Sequence, residues 1–307
     1  MLYVVLKNSK EIGEYKYFIV NQLVWSYLFD VLLGIWKPVP LWPFYMGFGI
    51  GFFRSWKGIW AVLPFYATIT VGIGMGVSIF MSFIHRYIYI SPISWFAKLH
   101  ERFSFKLFFY GFTFISIESG VMIPVFLLYV DREVLRESIT SKYPFMGFFF
   151  ENEPSIFGYD PALNNQLTVF YMFLILISLV GIVGFSIFMY CNFIRVMRKN
   201  ERLLSPCTHK MQRTLFRIIC IQLCLIFFFL LFPFILSVFF AAFGIRWTSI
   251  FALDFLMLCS LHTLADFTTV IYFVRPYRTF VSKLSCRSKD DTRKRSNPEL
   301  IYAVSSL

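Results

Sequence analysis

Long apolar segments alternate with short polar segments along almost the whole chain. A helix needs about 20 apolar residues to cross a bilayer, and six stretches reach that length. They lie near residues 17–36, 58–83, 106–130, 166–192, 216–242 and 249–274. These runs lack the two-residue alternation of barrel strands, and hydrocarbon offers no partner for unpaired backbone groups. The pattern therefore predicts six membrane-spanning helices.

The composition agrees with an all-α membrane protein. Of the 307 residues, 58% are hydrophobic and only 15% are charged, whereas soluble domains carry about 25% charged residues. We therefore assign residues 1–282 to a transmembrane helical bundle. Residues 283–307 are polar and charged, and we predict that they form a disordered cytoplasmic tail.

Lysine and arginine gather at alternate ends of the predicted spans. Most of them lie before residue 17, in segments 84–105 and 193–217, and after residue 274. The positive-inside rule places these segments in the cytoplasm, with loop 131–165 outside. The net charge of +12 is thus explained by topology and anionic lipid, and we do not expect nucleic-acid binding.

Five ionisable side chains fall inside the predicted spans. A charge at mid-bilayer costs about 2.5–3.5 kcal/mol on insertion scales, so these side chains should face the bundle interior. There they form a ligand pocket or an ion relay, or they join helices by hydrogen bonds. The spacing of four residues lets His262 and Asp266 pair on one helix face. The five residues are Asp30, Glu118, Asp254, His262 and Asp266.

Glycine and proline mark special places within the spans. Gly72 and Gly76 stand four residues apart on an apolar helix, a spacing that favours close helix packing over nucleotide binding. Pro233 interrupts the fifth apolar run and predicts a kink, either a fixed bend or a hinge.

Enzyme, cofactor and metal-site motifs are missing from the sequence. There is no HExxH, P-loop or GxSxG pattern. The four histidines are divided between cytoplasmic segments and one span, which does not favour a shared metal site. No cysteine falls in a predicted external loop, so we expect no external disulfide. We therefore predict neither an enzyme nor a cofactor.

Two short basic motifs end spans at the predicted cytoplasmic face. They are IHRY at 84–87 and RPYR at 275–278. Each is explained by interfacial tyrosines and basic anchors. The alternative interpretation is a conformational switch that contacts a cytosolic partner.

Six motifs in a consistent order carry a resemblance to a known receptor family. They are YKYFIVNQLVWSYLFD at 15–30, KPVPLWPFYMGFGIGFF at 37–53, FIHRYI at 83–88, LLFPF at 230–234, HTLADF at 262–267 and RPYR at 275–278. Over nearly its whole length, the chain resembles the nematode serpentine chemoreceptors of the Str superfamily, nearest to classes i and h.

The resemblance implies a seven-transmembrane G-protein-coupled receptor with most of its first helix missing from this chain. Residues 1–16 would be the last turns of that helix and the first internal loop. The family implies a small ligand that binds from outside and a heterotrimeric G protein that binds in the cytosol. The expected location is the plasma membrane, including the ciliary membrane of sensory neurons.

The resemblance also implies a G-protein-facing switch and a hinge. Arg86 stands where rhodopsin-like receptors carry the arginine of Asp-Arg-Tyr, and His85 replaces the acid of their acid–arginine lock. Pro233 is the candidate hinge. The predicted switch residues are His85, Arg86, Tyr87, Pro276, Tyr277 and Arg278.

Two alternatives to a working receptor stay open. One is a small-solute transporter or channel, although no internal repeat or polar pore lining is visible. The other is a truncated product that does not signal. Ligand-evoked current without a G protein would indicate the first, and failure to reach the cell surface would indicate the second.

Overall fold

Six membrane-length helices dominate the fold. The computed structural model describes residues 15–90, 94–199, 206–243, 245, 248–273 and 277–280. Its helices are α1 (Tyr15–Trp36), α2 (Ile59–Ile90), α3 (Ser94–Glu101), α4 (Phe103–Leu127), α5 (Arg132–Lys142), α6 (Gly147–Asn152), α7 (Leu167–Lys199), α8 (Pro206–Ile226), α9 (Phe232–Ala242) and α10 (Thr248–Phe273). The helices long and apolar enough to cross a membrane are α1, α2, α4, α7, α8 continued by α9, and α10.

Each of these six helices overlaps one predicted apolar segment. The prediction of an all-α membrane bundle with six full spans is therefore confirmed for the part of the chain that the structure describes. The predicted remnant of a first helix and its loop cover residues 1–16, of which residues 1–14 lie outside the described part and the last two begin α1. The predicted tail, residues 283–307, lies outside the described residues.

The most extensive helix contact joins α1 and α2. Gly74 lies against the indole ring of Trp25, and a Cβ at Gly74 would come within 2.5–2.7 Å of indole carbons. At Gly72 a Cβ would meet Phe29 at an ordinary 3.7 Å, and at Gly76 it would meet nothing within 4 Å. The close approach predicted from Gly72 and Gly76 occurs at Gly74 instead, because this glycine faces the large ring.

The segments that follow α1 and α4 fold together over one end of the bundle. We call residues 37–58 and 128–166 the cap, and the opposite end of the bundle the far end. The cap contains a three-stranded antiparallel sheet in the order β1–β2–β3, with Leu41 opposite Met46. The sequence predicted only loops here, because the strands are short and contain proline and glycine. The strands are β1 (Pro38–Leu41), β2 (Met46–Gly49) and β3 (Phe157–Gly158).

The chain that follows β2 closes the end of α1. The backbone N–H groups of Gly51 and Phe52 donate to the carbonyls of Trp36 and Ile35 at 3.0 and 2.9 Å, which satisfies carbonyls that a helix end leaves free. Glycine is needed at position 51, because a Cβ would lie 2.0 Å from the Ile35 carbonyl oxygen. The buried Trp36 ring faces Phe157 of β3 and so joins the sheet to the bundle.

Hydrogen bonds and an apolar core hold the cap together without any cysteine. The buried hydroxyl of Ser155 donates to the carbonyl of Gly49 at 3.0 Å and accepts from the N–H of Gly49 at 3.1 Å. At the exposed rim, Arg54 and Glu153 form an ion pair at 2.9 Å. The core residues are Met46, Phe48, Val130, Leu135, Ile139, Met146, Phe150 and Ile156.

An aromatic cluster packs the helices together at the far end. The rings of Phe193 on α7 and Phe216 on α8 stack with centroids 3.5 Å apart, and the buried residues Ile19 and Tyr277 belong to the same cluster. The described parts of the basic segments predicted to be cytoplasmic border this end, at residues 84–90, 94–105, 193–199 and 206–217. The charge pattern therefore predicts that the far end faces the cytosol and that the cap is external.

Candidate functional site

A buried carboxyl group connects three helices inside the bundle. The amide nitrogen of Gln22 on α1 donates to the two Asp266 oxygens at 3.0 and 3.2 Å. The amide nitrogen of Gln222 on α8 donates to Asp266 Oδ1 at 2.8 Å. All three side chains are buried. Hydrogen bonds in such a low-dielectric interior are strong and costly to break, so Asp266 ties α1, α8 and α10 together at one level.

Further buried polar groups extend from this contact toward the cap. Ser26 and Asp30 follow Gln22 at steps of four residues, so the three share one face of α1. Ser26 Oγ, Asp30 Oδ1 and both ring nitrogens of His262 have no hydrogen-bond partner among the described residues. Each unsatisfied buried group lowers stability by about 1–3 kcal/mol. A molecule that hydrogen-bonds to one of these groups therefore gains more binding free energy than it would at a group that already has a partner. The hydroxyl of Thr263 on α10 donates to the carbonyl of Ser26 at 3.3 Å. We call the whole set the polar column: Gln22, Ser26, Asp30, Gln222, His262, Thr263 and Asp266.

The predicted pairing of His262 with Asp266 is wrong. Although the two residues are four apart on α10, the Asp266 carboxyl is engaged by Gln22 and Gln222. The imidazole of His262 is buried next to the same contact without a hydrogen bond to it. Amide donors from neighbouring helices therefore take the place of the local partner.

Two predicted interior residues lie away from the polar column. Glu118 on α4 is half-buried, and its Oε1 accepts a hydrogen bond from the Thr70 hydroxyl on α2 at 2.5 Å. Asp254 is exposed, so the prediction that it faces the bundle interior is wrong. It lies near the cap end of α10, where a carboxyl group can reach polar surroundings. The ionisable residues that the structure brings together in the column are Asp30, His262 and Asp266.

A π-helical turn, Phe227–Leu231, separates α8 from α9 just before Pro233. Proline has no N–H, so the Phe229 carbonyl, four residues earlier, lacks its regular α-helical donor. The thiol of Cys259 on α10 donates to that carbonyl at 3.7 Å. The deformation expected at Pro233 thus takes the form of a π turn bonded to α10, and its role as a hinge stays a prediction.

Predicted switch residues at the end of α2 contact two neighbouring helices. His85 Nδ1 lies 2.9 Å from Nε2 of His100 on α3, and both rings are buried. The hydroxyl of Tyr87 accepts a hydrogen bond from the amide of Asn192 on α7 at 2.8 Å. The side chain of Arg86 lies outside the described part of the structure. The end of α2 is therefore tied to both α3 and α7.

The second switch motif meets the first in the far-end cluster. Tyr277 is fully buried in this cluster, and Tyr87 packs against it. Arg278 is exposed, and Pro276 lies outside the described residues. The structure thus brings one tyrosine from each motif into the same apolar core.

The sequence prediction missed both glutamines of the polar column. It was based on ionisable side chains, whereas Gln22 and Gln222 are neutral. The signal that reveals them is an amide group inside an otherwise apolar span, because hydrocarbon offers it no partner.

The polar column offers amide, carboxyl, hydroxyl and imidazole groups for hydrogen bonding. No group of three histidine, cysteine or acidic side chains suited to a metal ion lies within the described ranges. Outside the spans, burial raises the pKa of Tyr159 in the cap above its ordinary value, so this phenol stays neutral at physiological pH.

A family comparison agrees with this architecture. Residues 1–287 match the family described as serpentine type 7TM GPCR chemoreceptor Srh. No curated protein sequence matches the chain. The family match covers all six spanning helices, the cap, the polar column and the far end. The chain therefore belongs to the Srh family of serpentine seven-transmembrane GPCR chemoreceptors.

Proposed function

We propose that this chain is a chemosensory receptor that binds a small molecule from the cap side and activates a heterotrimeric G protein at the far end. The observation that carries the proposal is the hydrogen bonding of Asp266 by Gln22 and Gln222. This contact joins α8 to α1 and α10 in the bundle interior. A change in the packing of these helices at the polar column is thereby transmitted to the helix ends at the far end.

The proposed mechanism is a shift between two arrangements of the bundle. In the resting arrangement the Gln222–Asp266 bond holds α8 against α10. A ligand that bonds Ser26, Asp30 or His262, and that binds better when α8 is displaced, favours the second arrangement. It shifts the equilibrium only by its differential affinity for the two states. The π turn at Phe227–Leu231 gives α8 a place to bend relative to α9.

The proposed G-protein surface is the basic far end. Arg86, Arg278 and segment 193–217 would supply its positive charge, which also suits anionic lipid headgroups. By resemblance, the receptor is a nematode protein of the Str superfamily. The same resemblance supports a location in the plasma membrane, including the ciliary membrane of sensory neurons.

The proposal is tested by ligand screening on the full chain in cells with a G-protein readout. Energy transfer between Gα and Gβγ is recorded while a panel of small alcohols, ketones, acids and amines is applied. We expect at least one compound to activate the G protein in a concentration-dependent way. We expect Arg86→Ala to lower this response by more than about tenfold at equal surface density, because it removes a positive charge from the proposed G-protein surface.

Arg54→Ala is the matched control, because Arg54 is an exposed arginine of the cap. Its response should equal that of the wild type. A normal response from Arg86→Ala contradicts the role of the arginine. Ligand-evoked current without G-protein activation favours a transporter or channel, and a chain that stays inside the cell favours a non-signalling product.

A further inference from the structure

No basic side chain lies within the apolar lengths of the six spanning helices. Lysine and arginine are absent from residues 17–36, 59–85, 107–127, 167–194, 218–240 and 248–273. The same lengths contain the carboxyl groups of Asp30, Glu118, Asp254 and Asp266. A ligand with a positive charge complements such an interior, whereas an anionic ligand finds no opposite charge there. The charge pattern of the spans therefore favours a cationic ligand.

The packing of α1 against α10 brings three groups of the polar column close together. Ser26 lies beside Thr263, because the Thr263 hydroxyl donates to the Ser26 carbonyl at 3.3 Å. His262 precedes Thr263 on α10 and is buried. Asp30 follows Ser26 by one helical turn and also lies next to Thr263. Ser26, Asp30 and His262 are therefore neighbours around Thr263.

Each of these three side chains has an acceptor atom without a partner among the described residues. The atoms are Ser26 Oγ, Asp30 Oδ1 and the ring nitrogens of His262, and a neutral imidazole has one nitrogen that accepts. A primary ammonium ion carries three N–H donors, one for each acceptor. A hard metal cation such as Ca²⁺ takes about six or more oxygen ligands, which two oxygens and an imidazole do not provide. The acceptors therefore suit an ammonium group.

The π turn at Phe227–Leu231 covers the column at the level of Asp30. Cys259 lies next to Asp30, and its thiol donates to the Phe229 carbonyl in that turn. Leu230 of the turn packs against the buried cluster that contains Cys259. Displacement of the turn therefore opens the column at Asp30, the one member of the column that is only half-buried.

We propose that the ligand of the polar column is a small primary amine, bound as its ammonium ion between Asp30, Ser26 and His262. The Asp30 carboxylate pairs with the positive charge, and Ser26 Oγ and one nitrogen of His262 accept the two remaining hydrogen bonds. Asp30 is the nearest of the three to the cap end of α1, so a ligand from the cap side meets the carboxylate first. The inference names the ligand class of the proposed function and rests on that function for the step from binding to signalling.

The test measures the thermal unfolding midpoint of the purified full chain in lipid nanodiscs. The probes are butylamine, hexylamine and phenethylamine, each beside the alcohol and the carboxylate with the same hydrocarbon group. A ligand that binds the folded state raises the midpoint. We expect at least one amine to do so at a concentration about 100-fold below that of its alcohol, because charge-assisted hydrogen bonds are the stronger ones. The carboxylates should have no effect.

Three variants locate the effect in the column. Asp30→Asn keeps an acceptor oxygen but removes the charge, so the preference for the amine over its alcohol should fall below about threefold. Ser26→Ala removes one acceptor and should weaken amine binding about tenfold, which gives a second test if Asp30→Asn does not fold. Glu118→Gln is the matched control, because this in-span carboxyl group lies away from the column and bonds Thr70. It should keep the full preference.

Three results overturn the proposal. They are no shift with any of the three amines, an alcohol or carboxylate that acts at the same concentration as its amine, and an unchanged amine preference in Asp30→Asn.

The midpoint measurement needs no G protein, so it separates this inference from the proposed function. G-protein activation by an alcohol or an acid, without binding of any amine, contradicts the amine site and leaves receptor signalling standing. Amine binding that depends on Asp30, in a chain that activates no G protein, upholds the amine site and contradicts receptor signalling.

Discussion

Single residues decide how closely the helices of this receptor approach one another. Gly74→Ala places a methyl group within 2.5–2.7 Å of the Trp25 indole, an overlap that costs about 1–3 kcal/mol. We expect a lower midpoint of thermal unfolding in detergent. Gly76→Ala is the matched control, because nothing lies within 4 Å of its Cβ, and alanine favours a helix over glycine by about 1 kcal/mol. An equal loss in both variants would show that Trp25 does not set the helix distance.

At the residue scale, the sequence indicates which side chains are unusual but not which partners they find. Asp266 is recognisable as an acid inside an apolar run, and its burial follows from the cost of exposing it to lipid. Its partners on α1 and α8 are fixed by how three distant segments pack. The four-residue spacing instead suggested His262 as the partner of Asp266. A residue on the same helix face can pair with this carboxyl group but need not do so.

Elements of the cap are held by two kinds of polar contact that we expect to differ in strength. Ser155→Ala leaves the N–H and carbonyl of Gly49 unpaired in a buried place, at a cost of about 1–3 kcal/mol. Glu153→Gln removes an ion pair whose Arg54 side chain is 55% exposed, worth about 0–1 kcal/mol. Hydrogen exchange in β2 should therefore accelerate clearly in Ser155→Ala and little in Glu153→Gln. The reverse order would contradict this account of the cap.

The π turn before Pro233 is the element expected to bend during activation. Pro233→Ala restores an N–H that can bond the Phe229 carbonyl, so the turn can close into a regular helix. We expect higher thermal stability and weaker basal and ligand-evoked G-protein activation. Pro64→Ala in α2 is the control, because it is an in-span proline without a π turn. Unchanged or stronger activation in Pro233→Ala would exclude the hinge.

At the scale of the whole molecule, hydropathy is enough to predict the bundle because each span is a long, independent segment. The cap could not be predicted in this way. PVPL and MGFG are too short to show a strand period, and β3 pairs with β2 across more than a hundred residues. The charge pattern predicts which end is cytosolic, while the polar column requires the packed helices to be seen together.

Basal G-protein activation by Gln222→Leu tests the central claim most directly, since it needs no ligand. The variant removes the α8–α10 hydrogen bond, worth about 1 kcal/mol, and should raise basal activation about fivefold at equal surface density. Cys224→Leu, on the exposed side of α8, should match the wild type. Basal activation equal to or below that of the wild type would contradict the claim that the bond of Gln222 to Asp266 restrains the receptor.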